Sequence, residues 1–313
     1  MGESTSSTVA ILLATYNGER FIGEQLSSIA AQTHEDWALW VSDDGSSDKT
    51  LQLVAEFSER NPGKVHLLPE HAPTGGSCQN FFHLMKNVPK DYEYYAFCDQ
   101  DDYWHPQKIE KTLGALEQLG CDDSTPALAF CDAKVVDAER NVMGESFFAY
   151  TGVNPNNVEL RQLLVQNPIS GAEVIANRAL VELASGASSL ENIDMHDQWL
   201  GLVAATFGKI AHVDEALFDY RQHGNNQVGA KKMSLATVGD KAKIATESLH
   251  KKEAQAARLV AEYGSKMGSN DLQLCRTFSA ISTMPKAQRL RWRKANGIEM
   301  NGTMRNIGLA LFI

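Results

Sequence analysis

Three polar clusters carry the residues most able to do chemistry: Thr15-Tyr16-Asn17, Asp43-Asp44-Gly45-Ser46-Ser47-Asp48 and Cys98-Asp99-Gln100-Asp101-Asp102-Tyr103-Trp104. Each follows a short apolar run, where a strand would end. In open α/β sheets, ligands bind beyond the carboxyl ends of the strands. Asp and Asn also favour turns and helix starts, which accounts for any one cluster alone. Three clusters on one edge are better explained by a shared site. Carboxylates crowded on such a rim repel one another, so a cation is expected among them. Oxygen ligands without thiolates or clustered imidazoles suit Mg2+ or Mn2+. Mg2+ is commonly held by one or two carboxylates plus substrate phosphates, so the rim points to a diphosphate-bearing ligand. Neither G-x-x-x-x-G-K-[ST] nor G-x-G-x-x-G follows the first apolar run, so P-loop NTPase and dinucleotide oxidoreductase readings lose support.

The elements that must position these clusters alternate along the chain. Val9–Tyr16 is a continuous apolar run, as expected of a strand buried on both faces. Glu19–Ala31 follows with a helical stripe of Phe21, Ile22, Leu26 and Ile29. Trp37–Ser42 reads as a strand, and Ser47 as the cap of a helix carrying Leu51, Val54, Ala55 and Phe57. Val65–Leu68, Tyr94–Cys98 and Ala127–Val136 read as further strands, and Gln79–Val88 as a helix. Pro106 fits the first turn of a helix running to about Leu119. Beyond these, Ser170–Ala176 reads as a strand, Asn177–Ala184 and His196–Phe207 as helices, and Lys209–Tyr220 as extended. From 231 onward the chain reads as helical, with breaks at Gly264, Gly268, Pro285 and Gly297. This alternation predicts an α/β fold with a mostly parallel sheet flanked by helices.

Composition agrees. The chain has 313 residues, 43% hydrophobic and 22% charged, ordinary values for a globular protein. No apolar run approaches the length of a transmembrane helix. Five widely spaced cysteines without zinc spacing read as reduced thiols, so a cytoplasmic location is expected. The N-terminus lacks a basic region ahead of its apolar run and reads as no secretory signal; its match to the permissive myristoylation pattern reads as coincidence. Net charge is −10 but uneven: residues 1–230 carry 14 basic and 33 acidic side chains, and residues 231–313 carry 15 and 6. The acidic body argues against general nucleic-acid binding, which needs broad phosphate neutralisation.

The three clusters, in this order, resemble the nucleotide-sugar half of family 2 glycosyltransferases, inverting enzymes of the GT-A fold. Met195-His196-Asp197-Gln198-Trp199 resembles the acceptor-side segment of that family, and Tyr220-Arg221-Gln222-His223-Gly224-Asn225-Asn226 its late histidine loop. The resemblance covers roughly residues 8–228. D-Q-D-D-x-W combined with R-Q-H-G-N-N is most similar to bacterial rhamnosyltransferase-like members that build surface polysaccharide. It implies a GT-A domain over 1–228, with donor and acceptor halves of about 8–137 and 138–228, followed by a basic helical region over 229–313.

The resemblance also implies roles. Asp43 or Asp44 would meet the nucleobase, with Thr15, Tyr16 and Asn17 nearby. Asp99 would bind ribose or sugar hydroxyls, beside Gln100. Asp101 would be the main ligand of Mg2+ or Mn2+, His223 a further metal or diphosphate ligand, and Arg221 an added positive charge. Asp197 would be the general base, although read alone it is an ordinary Asp at a helix N-terminus. His196 stands where many relatives carry Glu or another residue, and no role is implied for it. Trp104 and Trp199 read as packing residues. Gly75-Gly76 with Asn80-Phe81 resembles a loop that closes around the donor, and Gly171 would let backbone approach a sugar.

Implied partners are a nucleotide-sugar donor and a saccharide or polyprenyl-linked glycan acceptor. Lys286–Lys294 (KAQRLRWRK) and the apolar Ile307–Ile313 fit peripheral contact with anionic lipid on the inner face of the plasma membrane. They fit equally a tail packed on the body or on another copy in a homo-oligomer. The leading function is transfer of rhamnose from dTDP-rhamnose. The alternatives are UDP-glucose, UDP-galactose or a UDP-N-acetylhexosamine as donor and, more distantly, a nucleotidyltransferase or a noncatalytic sugar-binding module. TYNGERF after the first strand is not the phosphate loop of a nucleotidyltransferase, and the intact acids argue against a noncatalytic module.

Overall fold

The computed structural model describes residues 8–224 and 238–312. The myristoylation-like N-terminus, Asn225-Asn226 and the expected boundary at 228/229 lie outside the described residues. Strand β1 (Val9–Thr15) leads to α1 (Ile22–Ala30), β2 (Trp37–Asp43), α2 (Thr50–Arg60), β3 (Val65–Leu67), α3 (Ser77–Asn87) and β4 (Tyr94–Asp99). Next come β5 (Tyr103–Trp104), α4 (Lys108–Glu117), β6 (Ala127–Val136), β7 (Val142–Gly144), α5 (Phe147–Thr151) and α6 (Leu160–Leu163). A 3-10 turn (Gly171–Glu173) enters β8 (Val174–Asn177), followed by α7 (Arg178–Ser185), α8 (His196–Phe207) and β9 (Lys209–Arg221). The chain continues through α9 (Val238–Tyr263), α10 (Ser269–Phe278), α11 (Lys286–Ala295) and α12 (Thr303–Phe312).

The strands form one sheet in the order β3-β2-β1-β4-β8-β6-β9-β5, with β7 on β6. β3, β2, β1 and β4 are parallel neighbours, as are β6 and β9, while β8 runs antiparallel between β4 and β6. All seven residues of β1 are buried because both its faces are covered. Val9, Ile11 and Leu13 pack with Leu26 and Ile29 of α1 and Ile109 and Leu113 of α4. Ala10 and Leu12 face the opposite core of Phe81, Phe82, Trp199 and Leu200. Leu249, Ala256, Leu259 and Phe278 of α9 and α10 belong to that second core. The C-terminal helices therefore pack on the body despite their opposite net charge.

Several local expectations need correction. Ser47 does not cap α2; Asp48 Oδ1 accepts the Thr50 N–H at 2.9 Å instead. A carboxylate so placed satisfies one of the helix's unpaired donors and complements its dipole. α4 begins at Lys108, just beyond Pro106. The first part of the expected Ser170–Ala176 strand is the 3-10 turn, closed by a reciprocal Ser170–Glu173 capping box.

Candidate active site

Sheet register brings the polar clusters together. Thr15 is paired with Asp43, and Ala14 with Asp99, so the ends of β1, β2 and β4 lie side by side. Several expected binding residues build this rim. Asp43 accepts from Thr15 Oγ1 (2.8 Å), Ser46 Oγ (2.6 Å), Ser46 N (2.7 Å) and Gly45 N (3.1 Å), which commits both its oxygens to the loop. Asn17 adopts the left-handed region (φ 46°), and its Oδ1 accepts the Ser47 N–H at 2.9 Å. Asn tolerates that conformation better than most residues. The Gln100 amide clamps the Tyr16 backbone, accepting from its N–H and donating to its carbonyl, both at 2.9 Å. Gly18 leaves room for this clamp: a Cβ there would lie 2.2 Å from Gln100 Oε1 and displace the amide. Thr15, Asn17, Asp43 and Gln100 are thus arranged as rim builders, and the Tyr16 side chain is exposed.

Asp44 is the better placed acid of its pair. It is buried, and its Oδ1 accepts the Thr74 N–H. Beside it the His71 and His83 rings lie 4.0 Å apart, tilted by 36°, with His71 Nε2 3.0 Å from Ser42 Oγ. Burial, with help from His71, lowers the His83 pKa against the opposing charge of Asp44. Sequence reasoning missed this imidazole pair because its members come from a loop and a helix that no local pattern connects.

The turn after β4 is anchored from β9. The Arg221 guanidinium donates to the Asp101 carbonyl (2.8 Å), the Ala138 carbonyl (2.6 Å) and Glu24 Oε2 (2.8 Å), and lies over the Phe21 ring. The Arg221 backbone N–H also donates to Asp102 Oδ1 at 3.1 Å. Arg221 is almost fully buried, so these contacts make it a clamp on the acidic turn, in contrast to the diphosphate-facing charge expected of it. Two residues on, His223 Nε2 lies 2.6 Å from Asp101 Oδ2. Burial first, then the charges of Asp101 and Asp197, push the Asp99 pKa up to about 7. Burial together with Asp101 and Asp99 raises Asp102 well above the usual carboxylate range. Such crowding disfavours full ionisation unless a cation is present. The Asp101 carboxylate and His223 imidazole form a mixed oxygen–nitrogen donor pair suited to a divalent ion. Among the described residues no group of three potential ligands forms a metal cage, so phosphate and water would have to complete the coordination.

Asp197 stands in the first turn of α8. Its carboxylate accepts the N–H of Gln198, Asn167 Nδ2 lies 3.5 Å away, and the Gly171 amide is near enough to favour the ionised form. Burial pushes its pKa up to about 7; the two amides oppose that rise and Asp194 adds to it. Asp197 is near enough to Asp99 for its charge to help raise that carboxyl's pKa. Trp104 and Trp199 are fully buried and serve as packing residues. A depression lined by Asn157, Gln162, Arg293 and Asn306 lies elsewhere and contains none of these residues.

Residues 10–166 match the family model described as glycosyl transferase family 2. With the fold and the rim in place, the chain belongs to family 2 of the glycosyltransferases. Over 225 residues it is 32% identical to the dTDP-rhamnosyl transferase RfbG of Shigella flexneri, covering 70% of this chain and 74% of that one. A shorter stretch of 111 residues is 32% identical to the Escherichia coli UDP-Glc:alpha-D-GlcNAc-diphosphoundecaprenol beta-1,3-glucosyltransferase WfgD, covering 34% and 40% of the two chains. Among solved structures, S. aureus TarS in complex with UDP-GlcNAc matches with a TM-score of 0.52 at 18% identity, covering 93% of this chain and 88% of that one. That likeness is one of fold, and the fold is GT-A.

Proposed function

We propose that the protein transfers a sugar, with inversion at the anomeric carbon, from a nucleoside diphosphate donor to a saccharide or polyprenyl-linked saccharide of cell-surface polysaccharide. Rhamnose from dTDP-rhamnose is the preferred donor, supported by the extent of similarity to RfbG. UDP-glucose or another UDP-sugar is the second reading, supported by the shorter similarity to WfgD. The observation that carries the proposal is the Asp101–His223 pair, 2.6 Å apart, on the rim shared by Asp44 and Asp99.

In this reading Asp44 meets the nucleobase and Asp99 accepts hydrogen bonds from ribose or sugar hydroxyls. Asp101 and His223 hold Mg2+ or Mn2+, which when bound supplies Lewis-acid stabilisation of the departing diphosphate. Asp197 removes the acceptor hydroxyl proton as that oxygen attacks, so a single displacement suffices and no sugar–enzyme bond forms. A pKa near the working pH suits a general base, which must be ionised yet able to take a proton. Asp197→Asn should abolish transfer while leaving donor affinity within about twofold; transfer at the wild-type rate would refute the assignment.

No described helix is long and apolar enough to cross a membrane. Peripheral contact is supported by α12, which exposes Met304, Ile307 and Leu311. Lys286 Nζ donates to the Leu311 carbonyl at 3.3 Å, bringing the basic helix α11 against this apolar stripe. Exposed Lys286, Arg291 and Lys294 complement anionic lipid, whereas Arg293 is committed to Ile298 O and Asn306 Oδ1, both at 2.9 Å.

A further inference from the structure

His196 opens α8 and is buried, its ring stacked on Phe81 at 4.0 Å and Phe97 at 5.6 Å. Neither ring nitrogen has a hydrogen-bond partner among the described residues. An unpaired polar atom in such a place is costly, and a phenyl ring would fill the slot without that cost. The imidazole differs from phenyl in its smaller edge, which is turned toward Gly171. A Cβ on Gly171 would lie 2.5 Å from His196 Nε2 and 2.8 Å from Cε1. Gly171 has no left-handed backbone, so close approach alone excludes a larger residue.

Gly171 opens the 3-10 turn that is closed by the Ser170–Glu173 capping box, with Ser170 N donating to Glu173 Oε2 at 3.0 Å. The Gly171 amide lies close enough to the Asp197 carboxylate to favour its ionised form, and Asp197 is the residue after His196. Ring, turn and carboxylate therefore close a small loop of contacts.

We propose that His196 is a positioning residue for Asp197: seated on Phe81 and Phe97, its ring sets the distance at which the Gly171 N–H meets the Asp197 carboxylate. This rests on the reading of Asp197 as general base. His196 is not itself a proton carrier, since burial lowers its pKa to about 3 and keeps the ring neutral. The other titratable groups that sense Asp197 or act on it are Asp194, Asp99, Glu173 and Cys78.

The test is a double-mutant cycle of Gly171→Ala and His196→Ala, with His196→Phe and Asp197→Asn alongside. Each variant is followed by thermal melting, donor affinity and the pH dependence of kcat. Gly171→Ala should lower kcat at least tenfold, move its acid limb to higher pH, and leave donor affinity within twofold. Removing the ring in the double variant makes room for the new methyl, so the double variant should be at least threefold faster than Gly171→Ala. His196→Phe should melt as a folded protein yet show the displaced limb. The positioning role is overturned if His196→Phe keeps the wild-type limb and rate, or if the two losses in the cycle simply multiply. Retained transfer in Asp197→Asn defeats the base assignment instead, so the two failures are distinguishable.

Discussion

The raised pKa of Asp197 leads to a quantitative expectation for the rate. An aspartate with the ordinary value of 3.8 is fully ionised across the usual assay range, whereas one pushed up to about 7 is not. A base acts only when ionised, so kcat should fall as pH drops through about 7. At pH 6 about one Asp197 in eleven is ionised, and kcat should be about a tenth of its plateau; at pH 5 it should be about a hundredth. Asp99, also pushed up to about 7, sits on the donor side. Its protonation should weaken donor binding and appear in kcat/KM, making that limb steeper than the limb in kcat. Asp99→Asn should bring the two slopes together. Stability should run the other way. Both carboxyls have folded pKa values above their unfolded ones, so the stability they contribute is full below about pH 4 and lost as pH rises through 7. The ligand-free protein should therefore lose a contribution to stability over the interval in which its rate climbs. The assay is release of nucleoside diphosphate at saturating donor from pH 5 to 9, with a melt at each pH. A flat kcat from pH 5 to 8 would refute this account of Asp197.

Other perturbations test other parts of the site. Asp101→Ala or His223→Ala should remove the stimulation of donor binding by Mn2+ or Mg2+, read by calorimetry with and without chelator; unchanged stimulation would place the metal elsewhere. Arg221→Met should cost about 3 kcal/mol in urea unfolding, because it strips a buried guanidinium from two carbonyls and Glu24. Wild-type stability would show that Arg221 does not clamp the acidic turn. Charge reversal at Lys286, Arg291 and Lys294 should reduce co-sedimentation with vesicles containing phosphatidylglycerol, and Leu311→Ser should reduce it further; undiminished binding would remove the membrane face.

What the sequence disclosed followed from how completely each element is buried. β1 was legible as a strand because alternate residues enter two different cores, which produces an unbroken apolar run. β6 and α8 occupy the residues expected of them, Ala127–Val136 and His196–Phe207. By contrast β5 and β7 are two and three residues long and exist through pairing with β9 and β6, so they carry no local signal. The antiparallel insertion of β8 is likewise a tertiary choice. The acidic clusters could be placed on one rim from their positions after apolar runs. Which acid of a pair keeps an oxygen uncommitted could not: Asp43 gives both oxygens to Thr15, Gly45 and Ser46, whereas Asp44 accepts through Oδ1 from Thr74, a matter of backbone geometry. Arg221 looked like an available charge because its partners, Asp101, Ala138 and Glu24, are scattered through the chain. The basic balance beyond residue 230 drew attention to the surface of the C-terminal helices and away from the buried stripe of Leu249, Ala256, Leu259 and Tyr263.

The most direct test of the central claim is a thermal-shift panel of dTDP-rhamnose, UDP-glucose, UDP-galactose and UDP-N-acetylglucosamine, each with Mn2+, with Mg2+ and with chelator. A ligand that binds only the native state raises its stability by mass action, about 2.7 kcal/mol at a hundredfold excess over Kd. The account predicts a metal-dependent stabilisation that is largest for dTDP-rhamnose and absent in Asp101→Ala. No stabilisation by any nucleotide sugar, with or without metal, would contradict it.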